Sequence, residues 1–294
     1  MTQTTGAFEP RLARRKRVGR LFMAGFAVMS FVGIGFLAVL IVRILWEGLP
    51  WISAKFIVNF PSVLSPADAG VRSALFGTVW LIVITGLVSV PMGVAAAIYL
   101  EEYASNNRIT RLIQLSIANL AGVPSVVYGI LGLAVFVRWL SCGRSVLAGG
   151  LTVALLVLPV IIIASREALG AVPNSFRHAA YALGATRWQT IRSHVLPAAV
   201  PGILTGVILA LSRAIGEAAP LLMLGALTYV TFVPEGPLDE FTVLPLQIYQ
   251  WVDQPQAEFH HLAAAGIIVL LGVLLPMNGV AIAVRAWHQR RKAW

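Results

Sequence analysis

The chain has 294 residues, 58% of them hydrophobic and only 12% charged, with a mean hydropathy of +0.83. A soluble domain carries about twice that charge, so the composition excludes one and points to a chain that crosses a membrane several times. The formal charge of +10 raises nucleic acid as a partner, but the cations are distributed as membrane topology requires, and that class is excluded too.

Residues 1–20 form a basic tail holding Arg11, Arg14, Arg15, Lys16, Arg17 and Arg20, read as solvated and in contact with lipid headgroups. Six stretches then reach the roughly 20 apolar residues that a helix needs to cross a bilayer: 21–45, 75–99, 113–139, 146–165, 197–224 and 261–284. None alternates strictly, which excludes membrane strands. The first run ends Trp46-Glu47-Gly48-Leu49-Pro50, with no small-x-small cleavage site, so it reads as a retained helix and not a secretory signal.

The segment from Pro50-Trp51 to Gly70 is an outer loop with a tryptophan near the interface, too short for a domain. Span two carries Pro91 and ends Tyr99-Leu100-Glu101-Glu102-Tyr103. Two acids at a helix C-terminus oppose the helix dipole, so they either meet a basic partner or form a merely solvated end. Span three contains Gly122-Val123-Pro124-Ser125 and span four Leu158-Pro159. Such residues either kink a helix beside a cavity or let helices pack closely. His260 and His261 precede the last span; on a helix they point about 100° apart, no Cys or carboxylate completes a closed metal shell at the usual spacing, and they are read as interfacial. The single Cys142 can form no internal disulfide.

With the N-terminus inside, sixteen of the twenty-two Lys and Arg lie in inner segments. Four, Lys55, Arg72, Arg138 and Arg144, lie in outer loops, and the acids Glu235, Asp239, Glu240, Asp253 and Glu258 crowd the last outer loop. This is the positive-inside pattern, and it predicts that both termini are cytoplasmic. The organisation expected is a tail 1–20, an all-α domain of six transmembrane helices over 21–286 with a polar cytoplasmic loop at 166–197, and a C-terminal tail 287–294.

That loop opens Arg166-Glu167-Ala168-Leu169 and runs through Val172-Pro173-Asn174-Ser175. Proline before a run of helix formers predicts two short helices joined at Gly184. Ala179, Ala180 and Leu183 are expected on one small-residue face, with Arg187, Trp188 and Arg192 on a bulky basic face after the turn. Such a unit can seat in a groove of a soluble subunit or lie flat on the membrane.

The second constellation is Leu211-Ser212-Arg213-Ala214-Ile215-Gly216-Glu217-Ala218-Ala219-Pro220, inside span five. A charge at the centre of a membrane helix costs roughly 2.5–3.5 kcal/mol, which calls for a role. Arg213 and Glu217 are four apart and share a helix face. Counted from Pro197 at about 1.5 Å per residue, Arg213 lies roughly 24 Å along the helix, near the midplane or beyond it. One reading is an ion pair that bolts helices together. The other is an anion contact: the arginine fork matches a tetrahedral oxyanion, and an ionised glutamate accepts from a proton-bearing oxygen. Phosphate carries such a proton near neutral pH and sulfate does not, so the pair suits the former. Pro220 withholds a bond from the Gly216 carbonyl, so the helix is expected to break just outside the pair.

The spacing Ala179-Ala180, Gly184, Leu196-Pro197 resembles the coupling loop of bacterial ABC-importer permeases. His178 stands where that pattern has Glu, and His194 where it has an aliphatic residue. Over about residues 46–290 the chain is similar to phosphate-specific ABC-importer permeases of the PstA type. The resemblance is carried by Ala95-Ala96-Ala97-Ile98-Tyr99-Leu100-Glu101-Glu102-Tyr103, Gly122-Val123-Pro124-Ser125, Arg213-Ala214-Ile215-Gly216-Glu217, Leu244-Pro245-Leu246-Gln247-Ile248-Tyr249 and Asn278. It implies a type I ABC importer permease in the bacterial inner membrane. A second permease subunit, two ATP-hydrolysing subunits that bind ATP and Mg, and an external phosphate-binding protein are the implied partners. It also implies that His178, Ala179, Ala180, Gly184, Leu196 and Pro197 meet the ATPase subunit, and that Arg213 and Glu217 line the substrate pathway.

None of the three lysines is followed by Ser or Thr, so no phosphate-cradling loop is present, and this chain is expected to be neither an enzyme nor a holder of a cofactor. Two alternatives stay open: a permease for phosphonate, sulfate or molybdate, and an intramembrane lipid-phosphate enzyme, which needs paired His and Arg at the membrane edge.

Overall fold

Inside a bilayer no water satisfies the backbone, so an apolar chain must close its hydrogen bonds within helices. The computed structural model describes residues 11–226 and 229–290, with side chains over 15–226 and 229–287. Residues 1–10 and 291–294 of the two expected tails, with Arg291 and Lys292, lie outside the described residues.

Helix α1 (Arg11–Gly48) leads into a short outer helix α2 (Ala54–Val58) and then α3 (Arg72–Ile98), which continues through a wide π-turn at Tyr99–Tyr103. Next come α4 (Arg108–Ala121) and α5 (Ser125–Gly132), the latter extended by a π-segment at Leu133–Trp139. Helix α6 (Val146–Gly170) precedes the short α7 (Asn174–Ala182). Helices α8 (Arg187–Thr190) and α9 (Leu196–Ile215) are joined without a gap by the π-segment Ile191–Val195. The chain finishes with α10 (Ala219–Leu224), α11 (Leu244–Val252) and α12 (Ala257–Arg290). Five of these units are long and apolar enough to cross a membrane, and a sixth crossing exists if α4 and α5 with its extension count together.

Three expectations are corrected. The span placed at 113–139 is not one rod: α4 and α5 meet at 101°, because Gly122 ends one helix and Pro124 caps the next. Residues 11–20, read as a tail, are the first turns of α1. The polar loop at 166–197 shrinks to residues 171–186, since its first part completes α6 and its last part begins the long helix through α9.

The core lies where α3, α6 and α9 pack, around Leu81, Val153, Val157, Ile161, Ile203 and Val207. With lipid as apolar as leucine, close approach of small residues drives such contacts. A Cβ at Gly202 would stand 2.7 Å from that of Ala168, and Gly206 sits closer still against Ala164. A Cβ at Gly93 would come within 2.6 Å of Ile161. Inside this interface the Thr85 hydroxyl donates to the Gly150 carbonyl at 3.2 Å. A second cluster joins Phe56, Trp251, Phe259 and Leu262 at the end bearing α11, where His261 stacks on Trp51 at 6.0 Å. Helix α1 exposes its apolar side chains, a surface suited to lipid or to another chain.

Gly206→Val forces a side chain into the α6–α9 contact and should cost about 1–3 kcal/mol. It is expected to lower the melting temperature of the detergent-purified protein. Gly272→Ala, which meets open space, should leave that temperature unchanged.

Candidate functional site

The polar island is built around one arginine. Pro173 caps α7, and three residues in, Arg177 turns back towards the end of α3. Its Nη2 donates to Glu102 Oε1 at 2.6 Å and its Nε to both carboxylate oxygens at 3.2 and 3.3 Å. Its Nη1 donates to the Val172 carbonyl at 2.7 Å and to Asn174 Oδ1 at 3.2 Å, and Nη2 also reaches the Leu169 carbonyl at 3.1 Å. One guanidinium thus binds the acid of α3 and the loose carbonyls after α6 together. The side chains are 14% and 5% exposed, so the charges are largely out of water. The hydrogen bond with Glu102 raises the Arg177 pKa against the lowering effect of burial. A raised pKa means that the arginine's own contribution is fully present below its ordinary value and is lost as pH rises through the raised one. The Arg177 guanidinium therefore stays charged across the biological range.

Glu101 pairs with Arg166 at 3.1 Å, and Arg187 lies over the Tyr103 ring at 5.4 Å. The acids at the end of span two therefore find their basic partners within this chain. Sequence reasoning left these acids open between a basic partner and a solvated helix end, and it gave Arg177 no role, since 75 residues separate it from Glu102.

Gly184 makes the turn. It adopts φ +81, and the Ala185 N–H donates to the Ala180 carbonyl while the Gly184 N–H donates to Tyr181. This is the paired-bond helix ending that favours glycine. After it, Thr186 and Gln189 exchange capping bonds and start α8. Ala180 is buried, but Leu183 is 89% exposed and Ala179 is also exposed. The single face expected for these three does not exist: Ala179 and Leu183, four residues apart, are exposed on one side of α7, and Ala180 is buried on another. His178, Trp188, Arg192 and His194 are exposed as well, whereas Leu196 and Pro197 are half-buried where the long helix enters the bundle.

At the other end of that helix, Arg213 occupies the last turn of α9. The helix stops at Ile215, and Glu217 lies in a non-helical link before α10. The break therefore falls inside the pair and not outside it as expected. Gly216 is a poor helix residue, and with Pro220 unable to donate to its carbonyl the helix ends before Glu217. A Cβ at Gly129 of α5 would come 2.5 Å from the Pro220 carbonyl oxygen, so α5 cradles the restarted helix. Its far end closes at Gly225, φ +88, with the same paired-bond ending as Gly184.

Arg213 Nε donates to Glu217 Oε1 at 3.1 Å. The guanidinium is 54% exposed and the carboxylate 17%, and no described residue takes a bond from the two terminal nitrogens. Leu209, Arg213 and Gly216 share an exposed face pointing away from the bundle. Beside it, the Ser212 hydroxyl lies 2.6 Å from both the Ile208 carbonyl and Asn278 Oδ1 of α12. The two constellations are not brought together. They occupy opposite regions of one unbroken helical run, Arg187–Ile215.

The fold is a helical bundle built for lipid, with a polar helix pair at one end and a half-satisfied arginine at a helix break in its span. The chain belongs to the family of binding-protein-dependent transport system inner membrane components, whose profile matches residues 89–293. It is a permease subunit of an ABC importer.

Among its relatives, the probable ABC transporter permease protein YqgI of Bacillus subtilis (strain 168) is 34% identical over 80% of each chain. The phosphate transport system permease protein PstA 1 of Mycobacterium tuberculosis (strain ATCC 25618 / H37Rv) is 35% identical over 76% of this chain and 72% of its own length. PstA of Haemophilus influenzae is 30% identical over 95% of this chain and 96% of its own. Among solved structures, a bacterial alginate ABC transporter matches with a TM-score of 0.65 at 17% identity, covering 92% of this chain and 96% of that one. The MetNI methionine ABC transporter, in an inward-facing conformation, matches with 0.59 at 17% identity, over 74% and 95%. At such identities the structural matches speak for the fold, that of a type I ABC importer permease.

Arg177→Ala leaves Glu102 buried without its cation and should cost about 3 kcal/mol or more. Arg177→Lys restores the charge but not the fork, and should recover only part of that. Thermal unfolding, together with protease sensitivity at residues 171–186, checks both.

Proposed function

We propose that this chain forms half of the translocation pathway for inorganic phosphate, with Arg213 and Glu217 contacting the anion as it crosses. The observation that carries this reading is the unspent fork of Arg213. A guanidinium inside a membrane span that uses only its Nε still has its terminal donors to give, and such groups mark ion pathways. A bolt between helices of this chain would have spent them. The names of the Mycobacterium and Haemophilus relatives support phosphate as the substrate.

An arginine more than half exposed at this depth needs a second polypeptide or a water-filled path opposite it, because lipid offers neither donor nor acceptor. A second permease subunit facing the Leu209–Arg213–Gly216 surface meets that need. The lysine sequence contexts argue for hydrolysis of ATP, with its Mg, on separate nucleotide-binding subunits, and the family description argues for an external binding protein that delivers the anion. In this reading the chain sits in the bacterial inner membrane with both termini cytoplasmic, and it has no catalytic activity or cofactor of its own.

The hinged pair α7–α8 then faces an ATPase subunit, with His178, Ala179, Ala180 and Gly184 at the contact and Leu196 and Pro197 carrying motion into α9. Rigidity supports this: Arg177 fixes α7 to α3, and the Gly184 ending fixes the angle of α8. Gly184→Val requires a left-handed backbone at a β-branched residue. It should uncouple ATP hydrolysis from uptake while the chain still inserts; Gly184→Asn should retain most uptake. Normal uptake and normal complex recovery in Gly184→Val would overturn the coupling role.

For the substrate, Arg213→Lys keeps the charge and loses the paired donors, and Glu217→Gln loses the acceptor charge. Both should reduce phosphate uptake by about 10-fold or more with complex yield intact, and sulfate should compete poorly in the unmodified complex. Uptake falling only in proportion to assembly would make the pair a structural bolt.

A further inference from the structure

Asn278 is the single polar side chain between His261 and Arg285 on α12, and a primary amide in the middle of a span is costly unless its bonds are met. Its recorded partner is Ser212, the residue next to Arg213. The Ser212 Oγ stands 2.6 Å from the Ile208 carbonyl and 2.6 Å from the Asn278 amide. A hydroxyl has one proton and can give it to one acceptor. The backbone carbonyl four residues back is the habitual acceptor for a helical serine. The arrangement that satisfies every group therefore turns the amide over, so that Asn278 Nδ2 donates to Ser212 Oγ and Oγ donates to Ile208. This leaves the Asn278 carbonyl oxygen and its second N–H without a partner among the described residues, on a half-buried side chain that meets the residue preceding the arginine.

We propose that Asn278 is a third contact for the transported anion, with its amide N–H donating to an oxyanion oxygen and its carbonyl accepting the hydroxyl of a protonated phosphate. This rests on the pathway role of Arg213 and Glu217. The amide adds what they lack. It is a neutral group that both donates and accepts, and so distinguishes a protonated tetrahedral anion from sulfate, which has no proton to offer its carbonyl. Ser212 acts as a positioning residue that holds the amide in register.

The rival assignment is a plain interhelical bond, and the two differ in how substitutions rank. The test is phosphate uptake by the reconstituted complex with its binding protein, alongside complex yield, for Ser212→Ala, Asn278→Leu and Asn278→Asp. As an anion contact, Asn278→Leu raises the half-saturating phosphate concentration at least fivefold and weakens discrimination against sulfate. Ser212→Ala raises that concentration less than twofold. Asn278→Asp, which sets a negative charge beside the anion or draws off Arg213, loses at least 90% of uptake at normal yield. As a bolt, Ser212→Ala and Asn278→Leu are equally impaired because they delete the same bond, while Asn278→Asp keeps a bond once the Ser212 hydroxyl turns from Ile208 to the new carboxylate, and it is impaired no more than Ser212→Ala. Should Asn278→Leu not assemble, the order of Asn278→Asp and Ser212→Ala decides. The bolt ranking in a complex that transports phosphate overturns this inference alone. An unmodified complex that takes up no phosphate overturns the substrate reading and this inference with it.

Discussion

The Arg177 guanidinium ties three parts of the chain that would otherwise move separately: the π-turn ending α3, the carbonyls trailing α6, and the first turns of α7. A buried ion pair yields little net stability, because desolvation consumes most of the attraction. Its effect here is geometric. With its donors shared between a carboxylate, a side-chain amide and two backbone carbonyls, the fork allows α7 one orientation and lets the turn at Gly184 have a defined direction. The long helix that begins at Arg187 inherits its starting angle from that arrangement, and Arg213 rides near the far end of the same helix.

The bundle behind these elements is held differently. Between α3, α6 and α9 an aliphatic core is brought close by glycines set against alanine and isoleucine, with a buried hydroxyl bond from Thr85 to Gly150 across it. Such packing resists separation and says little about polar chemistry. The polar groups that remain fall into two sets, the cationic loop around Gly184 and the Arg213–Glu217–Asn278 neighbourhood. The helix break at residues 216–218 separates the charges of the second set just enough that the pair closes through Nε alone.

Much of this was legible in the residues themselves. The apolar runs located the membrane helices, the glycine at 184 located the turn, and the four-residue spacing of Arg213 and Glu217 located the pair, because each is a local property of the chain. Hydropathy missed the 101° bend between α4 and α5, since a run reads as equally apolar whether straight or folded back. For Glu101 and Glu102 the sequence left a basic partner and a solvated end both open, as their partners lie 65 and 75 residues away. The burial of Ala180 apart from Ala179 and Leu183 was missed because adjacent helical residues point about 100° apart and local sequence does not say which of them meets the bundle. Asn278 drew no role from sequence, for its meaning comes from a serine on another helix.

The π-segment Ile191–Val195, passed through without a break between α8 and α9, sets the rotational phase between the helix's two ends. A wide turn of this kind accommodates an additional residue within a helix, and one residue corresponds to about 100° of rotation about the axis. The bulge thus decides which side of the bundle Arg213 addresses for a given seating of Trp188 and Arg192. Regularising the segment by loss of one residue would leave the loop, the ion pair at Glu102 and the apolar content of the span all but unchanged. It would turn the arginine from its open face towards a neighbouring helix.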